Sequence, residues 1–257
     1  GRTTLNGEGL QHQDGHSHVM AACVPNCVAS DPAFAYEMAV IVKDGIRRMY
    51  YEGEDVFYYI TAMNEAYVHP AMPEGAEEGI LKGIYKCSAA EGKPAVNLMG
   101  SGTILNEVIA AQKILKEDYK VEADVWSVTS YKNLQDDALD CDRWNMLNPE
   151  KEQKQPIVAT CWDNDANLFV SSSDYMAKMG NTLQKWFPGP FQALGTDGFG
   201  RSESRPALRD HFEVDRKFVV LAALRQLVDH GGRDAKILPK AIKDLGINVD
   251  KINPRTA

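Results

Sequence analysis

Ala95-Val96-Asn97-Leu98-Met99 is a short apolar run that ends in Gly100-Ser101-Gly102, and Ile104, Val108, Ala111, Ile114 and Leu115 follow at helical spacing. The run reads as a buried strand, the glycines as a tight turn and the recurrence as one face of a helix. A strand that passes straight into a helix is half of a βαβ crossover, which makes a mainly parallel sheet covered on both faces. Further along, residues 124–128, 157–161, 168–170 and 191–194 read as strands. Residues 134–147, 175–187, 205–211, 215–230 and 234–245 read as helices, and a short acidic helix start occupies 74–86. Residues 74–257 are therefore expected to form one complete α/β domain.

Ahead of that unit the pattern thins. Residues 1–33 are loop-like, with Gly1, Gly7, Gly9 and Gly15 followed by Pro25 and Asp31-Pro32. Phe34, Met38, Ile41 and Val42 then predict a helix, with Asp31 available as its cap. Val56-Phe57-Tyr58-Tyr59-Ile60 predicts a buried strand. A loop at 64–73, with Pro70 and Pro73, marks a domain boundary. One loop, one helix and one strand are too little for a sheet domain, so residues 1–73 read as the end of an earlier domain. The first residue is Gly1, without an initiator Met or a signal-peptide pattern, and the chain is expected to be a piece of a longer one.

Composition narrows the function classes. The 257 residues carry 28 Lys+Arg against 36 Asp+Glu, a formal net charge of −8. A net negative chain without a local basic patch argues against nucleic acid and anionic membrane. The longest apolar runs are broken by charge well short of the ~20 residues that span a bilayer. Five cysteines at irregular spacings fit reduced thiols in the cytosol better than a disulfide framework.

Chemistry concentrates in Gly7-Glu8-Gly9-Leu10-Gln11-His12-Gln13-Asp14-Gly15-His16-Ser17-His18, which holds three of the six histidines. Imidazole beside carboxylate suits proton transfer near neutral pH, and glycines let the backbone approach a ligand closely. Two other readings compete: a zinc ligand set of His12, His16 and His18, and histidines that only cap and hydrogen-bond a loop. Gly15 breaks any helix that would align His12 with His16. A second glycine-rich stretch, Gly195-Thr196-Asp197-Gly198-Phe199-Gly200-Arg201-Ser202, lies between a strand and a helix but matches neither dinucleotide nor Walker patterns. It reads as a tight turn with Phe199 buried and Arg201, Arg205 and Arg209 in salt bridges. Gly100-Ser101-Gly102 reads as a close strand-to-helix approach. Asp136, Asp137, Asp140 and Asp142 lack the glycine and terminal Glu of a calcium loop and read as a solvated helix face. Tyr50, Tyr51, Tyr58 and Tyr59 read as core or subunit interface. No nucleophile elbow is present.

The 7–18 and 195–202 motifs, with Tyr58-Tyr59-Ile60-Thr61, Pro70-Ala71-Met72-Pro73-Glu74-Gly75, Trp144-Asn145-Met146-Leu147 and Asn253-Pro254-Arg255, resemble the homodimeric-type pyruvate dehydrogenases of bacteria. The resemblance runs over the whole chain. It implies a transketolase-like C-terminal domain at 74–257, preceded at 1–73 by the end of a thiamine pyrimidine-binding α/β domain. It also implies a cytoplasmic homodimer that works with a dihydrolipoyl acetyltransferase, decarboxylating pyruvate on thiamine diphosphate with Mg2+ and passing the acetyl unit to lipoyl groups. His12 matches the active-site histidine of the family and Glu8 the carboxylate beside it; Gln13 stands where an acidic residue is expected. The Gly-Asp-Gly diphosphate–metal motif and the carboxylate that activates the aminopyrimidine are missing, so the cofactor elements are expected upstream and this segment alone is expected to be inactive.

Three classes of function remain on these residues. They are a segment of a thiamine-dependent oxidoreductase, a structural dimerisation module without chemistry of its own, and a metal hydrolase built on the histidine cluster.

Overall fold

A computed structural model describes residues 1–230 and 232–257. In chain order its elements are α1 (Ser17–Ala21), β1 (Cys27–Ser30), α2 (Ala35–Ile46, continued by a π-turn at Arg47–Tyr51), β2 (Phe57–Ile60), α3 (Ala76–Lys82), β3 (Tyr85–Ser88) and β4 (Val96–Gly100). A 3-10 turn at Gly102–Ile104 leads into α4 (Leu105–Tyr119), and β5 (Ala123–Ser127), α5 (Tyr131–Leu147), α6 (Ile157–Thr160), β6 (Phe169–Ser172) and α7 (Lys178–Asn181) follow. The last elements are β7 (Phe191–Leu194), α8 (Arg205–His211), α9 (Arg216–Asp229) and α10 (Ile237–Asp244).

The strand–glycine–helix unit is formed as read, and β4 lies at the centre of a five-stranded sheet of order β3-β5-β4-β6-β7. β4 pairs in parallel with β5 and β6, β6 in parallel with β7, and only the edge strand β3 runs antiparallel. Side chains leave the sheet with period two. Val96, Leu98, Val125 and Val170 enter one core with Leu105, Val108 and Leu115 of α4 and Val219, Val220 and Leu224 of α9. Met99, Trp126 and Phe169 enter the other, with Leu134 of α5 and Met179 of α7. The hydroxyl of Ser130 caps α5 through Asn133 N (3.1 Å), and the carboxylate of Asp215 caps α9 through Lys217 N and Phe218 N.

Several elements differ from the expectation. β1 falls in the stretch read as loop, because Cys-Val-Ala-Ser is too short and too small to show a period; it pairs in parallel with β2 as a separate two-stranded sheet. Among the described residues β2 has no second neighbour, and Phe57 is 46% exposed, so this strand is not the buried one expected. β3 overlaps the end of the stretch read as an acidic helix start, at Tyr85 and Lys86. Residues 157–161 form helix rather than strand. The Asp137 carboxylate accepts a hydrogen bond from Ile157 N (2.7 Å) just after Pro156, a helix start that a four-residue apolar run does not reveal. The helix expected at 175–187 breaks into α7 and a 3-10 turn at Gln184–Trp186. Asp31 does not cap α2; Glu37 does, its carboxylate accepting from Ala33 N and Phe34 N (3.2 Å).

Asp31 instead joins the two sheets. Its carboxylate accepts from the hydroxyls of Thr61, after β2, and Ser101, after β4, each at 2.7 Å. Its own amide donates to Thr129 O beyond β5 (2.9 Å), and its carbonyl accepts from Gly102 N (3.0 Å). Gly102 adopts φ +49°, and a Cβ there would press on the Asp31 carboxylate at 2.8 Å. At Gly100 a Cβ would lie 2.8 Å from Leu105 Cα and 3.0 Å from Val108 Cγ2, the close strand-to-helix approach that the sequence implied. Gly100→Ala is therefore expected to destabilise the chain by roughly 1–3 kcal/mol through overpacking, read as a lower urea midpoint at unchanged slope.

Candidate active site

In a parallel sheet the crevice beyond the carboxyl ends of the strands, where the chain order reverses, is the usual ligand position. Here that order reverses around β4, and the chain's own first residues fill the place. Arg2, Thr3 and Thr4 are buried. Asp174, just past β6 and fully buried, accepts from Thr3 N (2.8 Å) and the Thr4 hydroxyl (2.5 Å). The Arg2 guanidinium donates to Thr196 O (2.8 Å) and to Gly198 O beyond β7. Gly15 lies flat on that guanidinium, where a Cβ would collide with it.

These contacts bring the two glycine-rich motifs, nearly two hundred positions apart in sequence, into one layer. The buried Gln13 side chain accepts from Arg201 N (2.7 Å) and donates to Arg201 O. Ser202 Oγ donates to Gly7 O (3.0 Å), and Arg205 Nε donates to Thr4 O (2.7 Å). Arg205 and Arg209 both reach Glu65, as the salt-bridge reading expected, but Arg201 does not follow it: its backbone pairs with the Gln13 amide instead. Phe199 does not follow that reading: it is 73% exposed, because the turn spends its glycines on backbone contacts and points the ring outward.

The histidines separate. His12 ends a short 3-10 turn, Leu10–His12, between Gly9 (φ +98°) and Gln13; its ring and the Glu8 carboxylate are exposed, and neither side chain makes a hydrogen bond or ion pair among the described residues. His16 Nδ1 lies 3.3 Å from Arg2 Nη2. Arginine only donates, so this nitrogen accepts and the His16 proton sits on Nε2. Asp14 takes Ser17 Oγ, Ser17 N (3.0 Å) and His16 N (2.9 Å). Burial works against its charge, but these donors hold the carboxyl below its usual range. His18 is buried between the rings of Tyr59 and Tyr175, at centroid distances of 5.4 and 4.6 Å. Its Nε2 lies 3.1 Å from Thr61 Oγ1. That hydroxyl already donates to Asp31, so His18 Nε2–H donates to it. The three histidines do not converge, with His16 on Arg2, His18 on Thr61 and the His12 ring free of either, and no three His, Cys, Asp or Glu side chains among the described residues are placed to share a metal ion.

Two family models match parts of the chain. A model described as the transketolase-like C-terminal domain covers residues 83–215, and one described as the pyruvate dehydrogenase E1 component middle domain covers residues 1–70. The chain belongs to the transketolase-like C-terminal domain family. The pyruvate dehydrogenase E1 component of Escherichia coli K12 is 54% identical over 260 residues, covering 100% of this chain and 29% of the relative. The protein of the same description from Pseudomonas aeruginosa is 51% identical over 257 residues, again 29% of its length. This chain thus spans less than a third of these curated relatives. A transketolase from Pichia stipitis superposes with a TM-score of 0.64 at 18% identity, over 90% of this chain and 30% of that one, which places the fold.

Within this transketolase-like unit the residues present do not form a cradle for a diphosphate. The sheet crevice is occupied by Arg2–Thr4, and the backbone of the 195–202 turn is committed to Arg2 and Gln13. What the layer offers outward is the His12 turn. Sequence reading named His12 and Glu8 but passed over Asp174 and misread Asp31; a run of small polar residues, Ser171-Ser172-Ser173-Asp174, ending a predicted parallel strand was the available signal.

His18 gives a stability test. Burial lowers its pKa from the ordinary 6.5, with Asp31 and Asp14 opposing. A depressed folded pKa means the unfolded chain binds the extra proton first, so the His18 contribution is complete above pH 6.5 and lost as pH falls through the folded value. Urea unfolding from pH 7.5 to 5 should show falling stability, and His18→Gln should flatten the profile over that window; an unchanged slope would exclude His18 as the source.

Proposed function

We propose that this chain is the catalytic-loop-bearing end of a pyruvate dehydrogenase E1 component. In that enzyme pyruvate is decarboxylated and its two-carbon unit passed to lipoyl groups of a dihydrolipoyl acetyltransferase in the cytoplasm. The observation that supports this most directly is the joining of the 7–18 and 195–202 motifs into one layer, in a chain about half identical to proteins of that name over its whole length. The coupled residue sets give His12 a rigid base and a free ring.

Thiamine diphosphate with Mg2+, held by portions outside this segment, would supply the electron sink. The residues here do other work. The exposed His12 ring can donate a hydrogen bond to a substrate oxygen or carry a proton to or from it, since imidazole titrates near neutrality. Glu8, on the same turn-rich loop, can orient the ring when its carboxylate approaches. Holding His12 by backbone and by Gln13 fixes its position without consuming either ring nitrogen. In the enzyme assembled with the preceding portion of its relatives, His12→Ala is expected to lower turnover of pyruvate by roughly 10²–10⁴-fold with folding intact. Near-normal turnover would remove the acid–base role.

A homodimer fits a second observation. Tyr50 and Tyr51 project from the π-turn at 80% and 83% exposure, beside Val42 and Ile46 of α2 at 41% and 46%. Such a contiguous apolar strip is characteristic of contact surfaces. Tyr50→Ser with Tyr51→Ser is expected to shift the assembled enzyme toward monomer in sedimentation velocity; an unaltered distribution would place the interface elsewhere.

A further inference from the structure

The last residues of the chain close over the back of the 195–202 turn. Lys251 is anchored by its Nζ, which donates to the carbonyls of Asp210 and His211 and lies 4.7 Å from the Phe218 ring centroid. A turn follows, in which Asn253 Oδ1 accepts from Arg255 N (3.0 Å) and Asn253 O from Thr256 N (3.1 Å). The turn buries Pro254. Gly198, at φ +94°, rests directly against it: a Cβ there would strike the Pro254 carbonyl and lie 3.2 Å from Arg255 Cα.

On its other side the same turn carries the His12 loop. A Cβ at Gly200 would meet Gln13 Oε1 at 2.9 Å and Leu10 Cβ at 3.1 Å, and Arg201 closes the amide pair with Gln13. Gln13 N donates to Leu10 O and His12 N to Gly9 O, both at 3.2 Å, so the residue clamped by Arg201 also closes the turn on which His12 stands. The line of contact runs from Pro254 through Gly198, Gly200 and Arg201 to Gln13 and His12, largely through backbone.

We infer that the terminal segment 251–257 is a positioning element for His12, acting through the 195–202 turn and the Gln13 amide. This rests on the reading of His12 as the acid–base residue. The amide suits the task because it accepts from Arg201 N and donates to Arg201 O at once, whereas an ionised carboxylate only accepts. It accounts for Gln13 at a position where an acidic residue was expected. A displacement of about 1 Å at a reacting group costs up to ~10²-fold in rate, so a backing element that holds the loop has measurable leverage.

The test uses the assembled enzyme, with residues 253–257 deleted, with Gln13→Ala, and with both changes. Each single change is expected to lower kcat roughly 10- to 100-fold and to speed amide exchange at residues 8–13, while exchange in β4 and α9 stays protected. The double variant should be no worse than the more severe single one, because both break one path. Gln13→Glu should lose less than Gln13→Ala and recover toward acidic pH, where a protonated carboxyl again donates to Arg201 O. Losses that multiply, or a deletion that leaves kcat and exchange at 8–13 unchanged, overturn the inference. Full activity of His12→Ala would instead sink the functional reading, and the exchange measurements would still decide whether the tail holds the loop.

Discussion

Everything in this molecule hangs on the buried carboxylate of Asp31. A charge removed from water is tolerated only when its acceptor sites are filled, and Asp31 fills them from both sheets: Thr61 from one and Ser101 from the other, with its backbone bridging Thr129 and Gly102. An unpaired buried acceptor costs about 1–3 kcal/mol, so losing either hydroxyl donor to this carboxylate is unfavourable. These bonds join the residues that follow β1, β2, β4 and β5, and Thr4 Oγ1 lies 3.4 Å from Thr103 Oγ1 beside them.

A second buried carboxylate repeats the device at the other end of the junction. Glu37 accepts from Ala33 N and Phe34 N, so it starts α2, and it also accepts from Tyr85 OH of β3 (2.6 Å) and Ser127 Oγ of β5 (2.7 Å). Burial pushes its carboxyl upward while these four donors pull it down. One side chain thereby ties a helix of the first 73 residues to two strands of the larger sheet. The two parts share a core as well, since Ala33 and Phe34 belong to the same buried cluster as Val96, Leu98 and Val219.

The sheet was legible in the sequence wherever a full apolar period was present: β4 with α4, β5, β7 and α9 fall where their patterns put them. Elements without such a pattern were not. β1 is Cys-Val-Ala-Ser, small and half polar, β3 straddles the end of the stretch read as an acidic helix, and the helix at 157–160 is one turn set by Asp137, 20 residues earlier. His12 stood out because histidine is rare and its neighbours are glycines. Asp31 and Asp174 did not, because a carboxylate beside a proline or after serines looks the same whether it caps a turn or holds two sheets together. Their partners come from 30 to 171 residues away, and no local pattern records such distances.

Arg2–Thr4 fill the crevice at the strand ends. A site at the strand ends would need that space and those backbone donors; here both are consumed in holding a loop. The loop is fixed by Arg2, Gln13 and the 195–202 turn, and among the described residues the side chains of His12 and Glu8 stay exposed and without a hydrogen-bond partner. Precision in catalysis comes from such rigid mounting, because a reacting group already in place loses little freedom on binding. A surface histidine on an ordinary loop lacks this support. His12 has it because Gln13, its next neighbour, is bound into the far end of the domain.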